Sequence, residues 1–164
     1  MRSLGNEANI LKCKLTVAGL RKSDDPLKLA HAVRHLGDAY YHASRTKLAE
    51  RCYVEALSIY RNRDDRRPLD LANAIRSFAI IKDELGAHEE AEDLWNEAHD
   101  LYLSVNVPAG VAESAGRLAL LARRKNELQQ SREWLAEATK AAQVANDPES
   151  LQFVADVKAQ IDSQ

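Results

Sequence analysis

Apolar residues along this chain recur with one period, close to 3.6, and no stretch shows the strict alternation of a half-buried strand. The stretch Gly86–Tyr102, GAHEEAEDLWNEAHDLY, carries the fullest version of the pattern, a small–bulky–small spacing at Ala91, Trp95 and Ala98. It returns at Ala49, Tyr53 and Ala56, and more weakly at Ser131, Leu135 and Ala138. Four prolines, Pro26, Pro68, Pro108 and Pro148, stand 42, 40 and 40 residues apart. Each is followed three residues later by Leu29, Leu71, Val111 or Leu151 and then by a helical pattern, the expected place for proline at a helix N-terminus. The spacing predicts helix pairs over about 27–43 with 46–62, 69–85 with 88–104, and 109–125 with 128–145, then a single helix over about 149–162. Before Pro26, Ala8, Leu11, Leu15 and Ala18 define the buried stripe of one more helix, about 7–22, whose register against the other units stays open. Ser44 and Thr46 are candidate caps, and Gly86 is placed to end its helix in a left-handed conformation.

Self-similarity at this period implies a repeat array in one domain, 1–164: a half unit over 7–25, repeats over 26–67, 68–107 and 108–147, and a capping helix over 148–164. The fold class is all-α, with about eight helices and no sheet. Short linkers make neighbouring helices antiparallel. Trp95 should lie between the two helices of the middle unit as its largest filler. The last helix is more polar, with Lys158 where Leu36, Phe78 and Leu118 stand earlier, and should cover the third unit through Leu151, Val154 and Ile161.

Composition supports this picture. Of 164 residues, 6 are Gly, 4 are Pro and 5% are aromatic, so residues that lose little on entering a helix dominate. A net charge of -2 and a pI near 6.2 provide no broad basic field for nucleic acid or an anionic membrane. With no apolar run long enough to span a bilayer and no secretory leader pattern, the expectation is a cytoplasmic protein. Cys13 and Cys52 have no metal-site or redox spacing and read as small buried hydrophobes.

The first unit carries Leu36, Gly37 and Tyr40 on one helix and Ala49, Tyr53 and Ala56 on the next. This resembles the tetratricopeptide repeat, in its longer variant of about 40–42 residues similar to kinesin light chain and bacterial regulator repeats. The match decays along the chain: Phe78, Ala79 and Lys82 replace the signature in the second unit, and Leu118, Ala119 and Ala122 in the third. The resemblance implies a right-handed superhelix whose first helices line a concave groove for peptides or proteins. Carried over by position, the groove residues are His31, Arg34, Asp38, Tyr41 and His42; then Asn73, Arg76, Ile80 and Asp83; then Glu113, Arg117, Leu120 and Arg124. Arg34 and Arg76 hold equivalent places, but Asp38 and Ile80 stand where a carboxylate clamp needs Asn.

His31, His35, Asp38 and His42 fall on one helix stripe. His-x3-His is a metal-ligand spacing, yet His31 to His42 spans roughly 16 Å of helix rise, so only an adjacent pair such as His31 and His35 could share an ion. A polar groove wall is the simpler reading. The Arg123, Arg124, Lys125 cluster suits a helix C-terminus, and the arginines around Asp64 and Asp65 suit a solvated loop. Gly116, mid-helix, leaves room for a ligand or a neighbouring helix. No phosphate loop, nucleophile elbow or HExxH motif is present. The expected function is therefore a non-catalytic scaffold without cofactor, holding a protein or peptide segment with a carboxylate near an apolar anchor. The alternative is homo-oligomeric self-assembly, with Phe153 and Val157 exposed at an open end.

Overall fold

The computed structural model describes residues 2–163, the side chains of residues 2 and 3 excepted. Among them are eight α-helices and no strand: α1 Arg2–Leu20, α2 Pro26–His42, α3 Thr46–Arg61, α4 Pro68–Glu84, α5 His88–Ser104, α6 Pro108–Arg124, α7 Leu128–Ala145 and α8 Pro148–Asp162. Helices α1–α4 form one compact unit and α5–α8 a second, with the division after Leu85. No helix of the described residues is long and apolar enough to cross a membrane.

All four prolines open a helix, at a position whose N–H has no intrahelical partner in any case. Asp25 and Asp147 cap two of these helices by accepting from the backbone N–H of Lys28 and Ser150. At the other ends, left-handed residues punctuate the chain: Ser44, Gly86, Asn106, Asn126 and Asn146, with φ of 57°, 78°, 54°, 63° and 52°. After three of them the next N–H reaches back six residues inclusive, Arg45 to Tyr40 O, Val107 to Tyr102 O and Glu127 to Ala122 O, and satisfies a last-turn carbonyl. Gly86 behaves as expected. Ser44 does not cap the following helix; it takes the left-handed turn, Thr46 is already helical, and Arg45 at the cap position makes no side-chain capping bond to the helix.

In the first unit, α2 packs along both α1 and α3, and α3 along α4. Gly37 explains the repeat signature physically: a Cβ there would meet Tyr53 Cε1 at 2.6 Å, so glycine is what lets the buried Tyr53 ring lie against α2. Ala49 and Ala56, fully buried one turn to either side of Tyr53, allow the same close approach. The register of α1 differs from expectation. Ile10 and Val17 are buried, with Asn6, Cys13 and Leu20 half-buried beside them, while Ala8, Leu11, Leu15 and Ala18 face outward. Both stripes have helical spacing, and contact with α2 selects the one bearing the β-branched residues.

In the second unit, Trp95 of α5 is fully buried, and the Arg117 guanidinium of α6 lies 5.8 Å from its ring centroid. Gly110 of α6 sits against the buried Tyr102, where a Cβ would come within 2.4 Å of the ring. Gly116 admits a neighbouring helix: its missing Cβ would lie 2.6 Å from Phe153 of α8. Helix α8 does cover α6 and α7, but through Val154 and Val157 with Phe153 beside them. Leu151, expected in that contact, is 44% exposed, and Ile161 is half-buried. Val157, expected at an open end, is part of the core instead.

Candidate functional site

A cleft of about 810 Å³ opens in the first unit between α1, α2 and the start of α4. Its apolar lining comes from Leu20, Leu27, Ala32 and Ala39; its polar lining includes Lys12, Lys28, His31, His35, Asp38, His42, Arg67 and Asp70. Because α2 turns one face toward α1, residues four and seven apart on it, from Leu27 to His42, converge there.

Three of the five groove residues expected on α2 line this cleft, His31, Asp38 and His42, together with His35. His31 and His35 meet edge-on, with Nε2 atoms 3.0 Å apart and ring centroids 4.5 Å apart. Partial burial, then the nearby His35 and Arg34 charges, hold His31 below the ordinary imidazole pKa. Among the described residues no group of three His, Cys, Asp or Glu side chains is arranged to hold a metal ion. A His31–His35 pair thus lacks the third protein ligand that metal sites ordinarily supply.

Asp38 is a junction of three helices. Its Oδ1 accepts from Tyr53 of α3 at 2.8 Å and from Ser77 of α4 at 3.4 Å, while Oδ2 accepts from Arg34 at 3.0 Å. Burial pushes its carboxyl pKa up, but hydrogen bonds from His35 and Tyr53 and the Arg34 charge together outweigh that and lower it. Burial, reinforced by the Asp38 charge, drives the Tyr53 hydroxyl well above the tyrosine range. Arg34 is therefore engaged rather than presented: its side chain is 14% exposed, and Nη2 lies 3.1 Å from His35 Nε2. Tyr41 is half-buried and donates to Glu84.

Asn73, Arg76, Ile80 and Asp83 lie on α4, all half-buried, and none lines the cleft. On α6, Glu113, Arg117 and Leu120 are half-buried and Arg124 is exposed, 3.2 Å from His88 Nδ1. Arg117 lies within 5.8 Å of the Trp95 ring and 5.5 Å of Phe153, a cation–π bridge between α5 and α8 that assigns it to packing. The loop arginines are satisfied locally, Arg63 by Asp65 and Arg67 by Asp70, each through two hydrogen bonds. Lys125, which follows Arg124 in the second unit, pairs with Glu92.

Sequence reasoning missed Asn9, Lys12, Cys13 and Thr16 of α1 as cleft residues, because it assigned the inward face of α1 to the other stripe. The signal was present in Ile10 and Val17, seven residues apart. Cys13 is half-buried; Cys52 is buried, and burial pushes its thiol up to about 11. Also unexpected was a second cleft, about 490 Å³, where Leu103 of α5 and the start of α6 meet Glu137, Lys140 and Val144 of α7. Next to it the buried His99 contacts Glu137 at 3.0 Å and the Trp134 ring edge.

Residues 28–104 match the family described as Tetratricopeptide repeat. No curated protein matches the chain in sequence. Among solved structures it is similar to BtubC (BKLC) from P. vanneervenii, at 18% identity and a TM-score of 0.75, over 95% of this chain and 65% of that one. It is also similar to the apo form of RapI, at 14% and 0.77 over 92% and 56%, and to aspartyl phosphate phosphatase F from Bacillus subtilis, at 15% and 0.72 over 92% and 41%. The chain thus spans less than two thirds of each of these proteins, and at such identities the likeness shows the fold. The tetratricopeptide repeat match thus covers residues 28–104, and the likeness to these solved structures shows a similar helical-repeat fold over most of the chain.

Proposed function

We propose that this chain is a non-catalytic interaction scaffold, without cofactor, that holds an acidic segment of another protein in the cleft between α1 and α2. The observation that carries the reading is the chemistry of that cleft. Leu20, Leu27, Ala32 and Ala39 offer an apolar floor, and the cations around it outnumber the carboxylates. Both lining carboxylates are already engaged, Asp38 by Arg34 and Tyr53 and Asp70 by Arg67, and the wall also carries Lys12 and His42 beside the His31–His35 pair. Such a site favours a carboxylate-bearing side chain or terminus next to an apolar anchor. Asn73, Arg76, Ile80 and Asp83 on α4, and Glu113, Leu120 and Arg124 on α6, are read as further contact positions within their own units.

The test is selection of peptides from a displayed random library on the immobilised chain, followed by calorimetric titration of a selected peptide. Peptides carrying Asp or Glu beside an apolar residue are expected. Lys12→Glu with His35→Glu should weaken binding at least about tenfold, since each contact to a charged group is worth roughly 1.5–3 kcal/mol. Val54→Glu, on the exposed side of α3, should leave binding unchanged. Peptides insensitive to the cleft variant and lost with the α3 variant would overturn the assignment.

A further inference from the structure

The outward face of α1 carries Leu4, Leu11 and Leu15, which are 79%, 58% and 67% exposed, with Ala8 and Ala18 between and beyond them. Positions 4, 8, 11, 15 and 18 alternate steps of four and three, the seam spacing of a two-stranded coiled coil and narrower than the stripe of a helix packed into a globular core. The opposite face of α1, through Ile10 and Val17, is the one that α2 covers. This helix therefore has two apolar faces, and the chain itself occupies one.

We propose that the outer seam of α1 pairs antiparallel with α1 of a second copy of this chain. The charges flanking the seam carry the choice of partner. Glu7 and Lys14 occupy the same flank, each one residue before a seam position. In an antiparallel pair that sets Leu11 against Ala8 and Leu4 against Leu15, Glu7 of each copy faces Lys14 of the other, so two opposite-charge pairs form by symmetry. The alternation of Leu with Ala across the seam also matches large to small in the central layers. Within its own chain Glu7 binds Arg45 through Oε1 and Lys14 lies 5.9 Å over the Tyr40 ring, contacts on the side of this flank that faces α2 and the turn after it. A carboxylate accepts on both oxygens, so Glu7 can meet the second cation as well. The seam is short, about two heptads, so the pairing is weak and depends on concentration.

Sedimentation equilibrium from about 1 µM to about 1 mM tests this directly, with an expected half-point on the order of 100 µM. The mass should rise from one chain toward two. Leu11→Glu with Leu15→Glu, both at exposed positions, should leave a monomer of unchanged helicity. Glu7→Lys and Lys14→Glu should each weaken association on the order of tenfold, because two symmetric pairs change sign together, and the double reversal should restore it. A parallel pair would set Glu7 against Lys12 instead, and the double reversal would then fail to restore. A monomer across the whole range, association insensitive to the leucine changes, or a double reversal without restoration each overturns the proposal.

Discussion

Removing the Asp38 carboxylate tests whether this residue joins helices or lines a surface for a partner. Asp38→Ala takes away the acceptor of the Tyr53 hydroxyl, on a side chain 1% exposed, and of the Arg34 guanidinium, on a side chain 14% exposed. An orphaned buried hydroxyl costs about 1–3 kcal/mol. Breaking a fully buried ion pair by deleting one partner costs about 3–5 kcal/mol, and since the Asp38 side chain is 28% exposed only part of that applies here. Together these give about 3 kcal/mol for Asp38→Ala. Asp38→Asn keeps an acceptor for Tyr53 and should cost about half as much. The assay is urea unfolding followed by far-ultraviolet circular dichroism, run as a cycle with Tyr53→Phe, in which coupling of about 1–2 kcal/mol is expected. The pH dependence follows from the direction of the shift. A carboxyl lowered in the folded state contributes stability above its unfolded pKa, about 3.9, and loses that contribution as pH falls through the folded value, so parent and variant should converge in strong acid. A cost below about 0.5 kcal/mol, or no coupling to Tyr53, would refute the junction.

Three further outcomes follow from the packing and the titration of the cleft. Gly110→Ala should cost about 2–3 kcal/mol, because its Cβ would strike the base of the buried Tyr102 ring; Gly116→Ala should cost about 1 kcal/mol or less, since it meets the far end of the half-buried Phe153 and gains helix propensity. Melting of both variants checks the order. Trp95→Ala should cost about 3–5 kcal/mol, and a melting temperature close to the parent's would contradict its full burial. His31 has a lowered folded pKa, so the unfolded chain binds more protons below about pH 6.5 and stability should fall as pH drops through that window; His31→Asn should flatten that slope in pH-dependent unfolding.

The sequence by itself determined the helices and their order, because each proline of the 40–42-residue series is excluded from a helix interior and directly precedes a helical apolar pattern, and the apolar period admits no strand. It also determined the hairpin packing of the first unit, since Gly37 opposite Tyr53 is a steric requirement written into residue types. The left-handed turns have a sequence signal too: Asn106, Asn126 and Asn146 recur every 20 residues, at the half-unit period. What only the tertiary structure decided is which of two equivalent stripes each terminal helix buries. On α1 the stripe through Leu11 and Leu15 and the stripe through Ile10 and Val17 satisfy the same period, and shape against α2 chose the second. On α8 contact with Gly116 drew Phe153 and Val157 inward and left Leu151 outside. The cleft followed from the first of these choices, because the inward turn of α1 brings Lys12 and Cys13 opposite His31 and His35. Likewise, Arg34 and Arg117 looked like groove residues from their helical phase, but an ion pair with Asp38 and two aromatic rings engage them within the fold. Periodicity gives the direction of a side chain, and only its neighbours in three dimensions fix what it meets there.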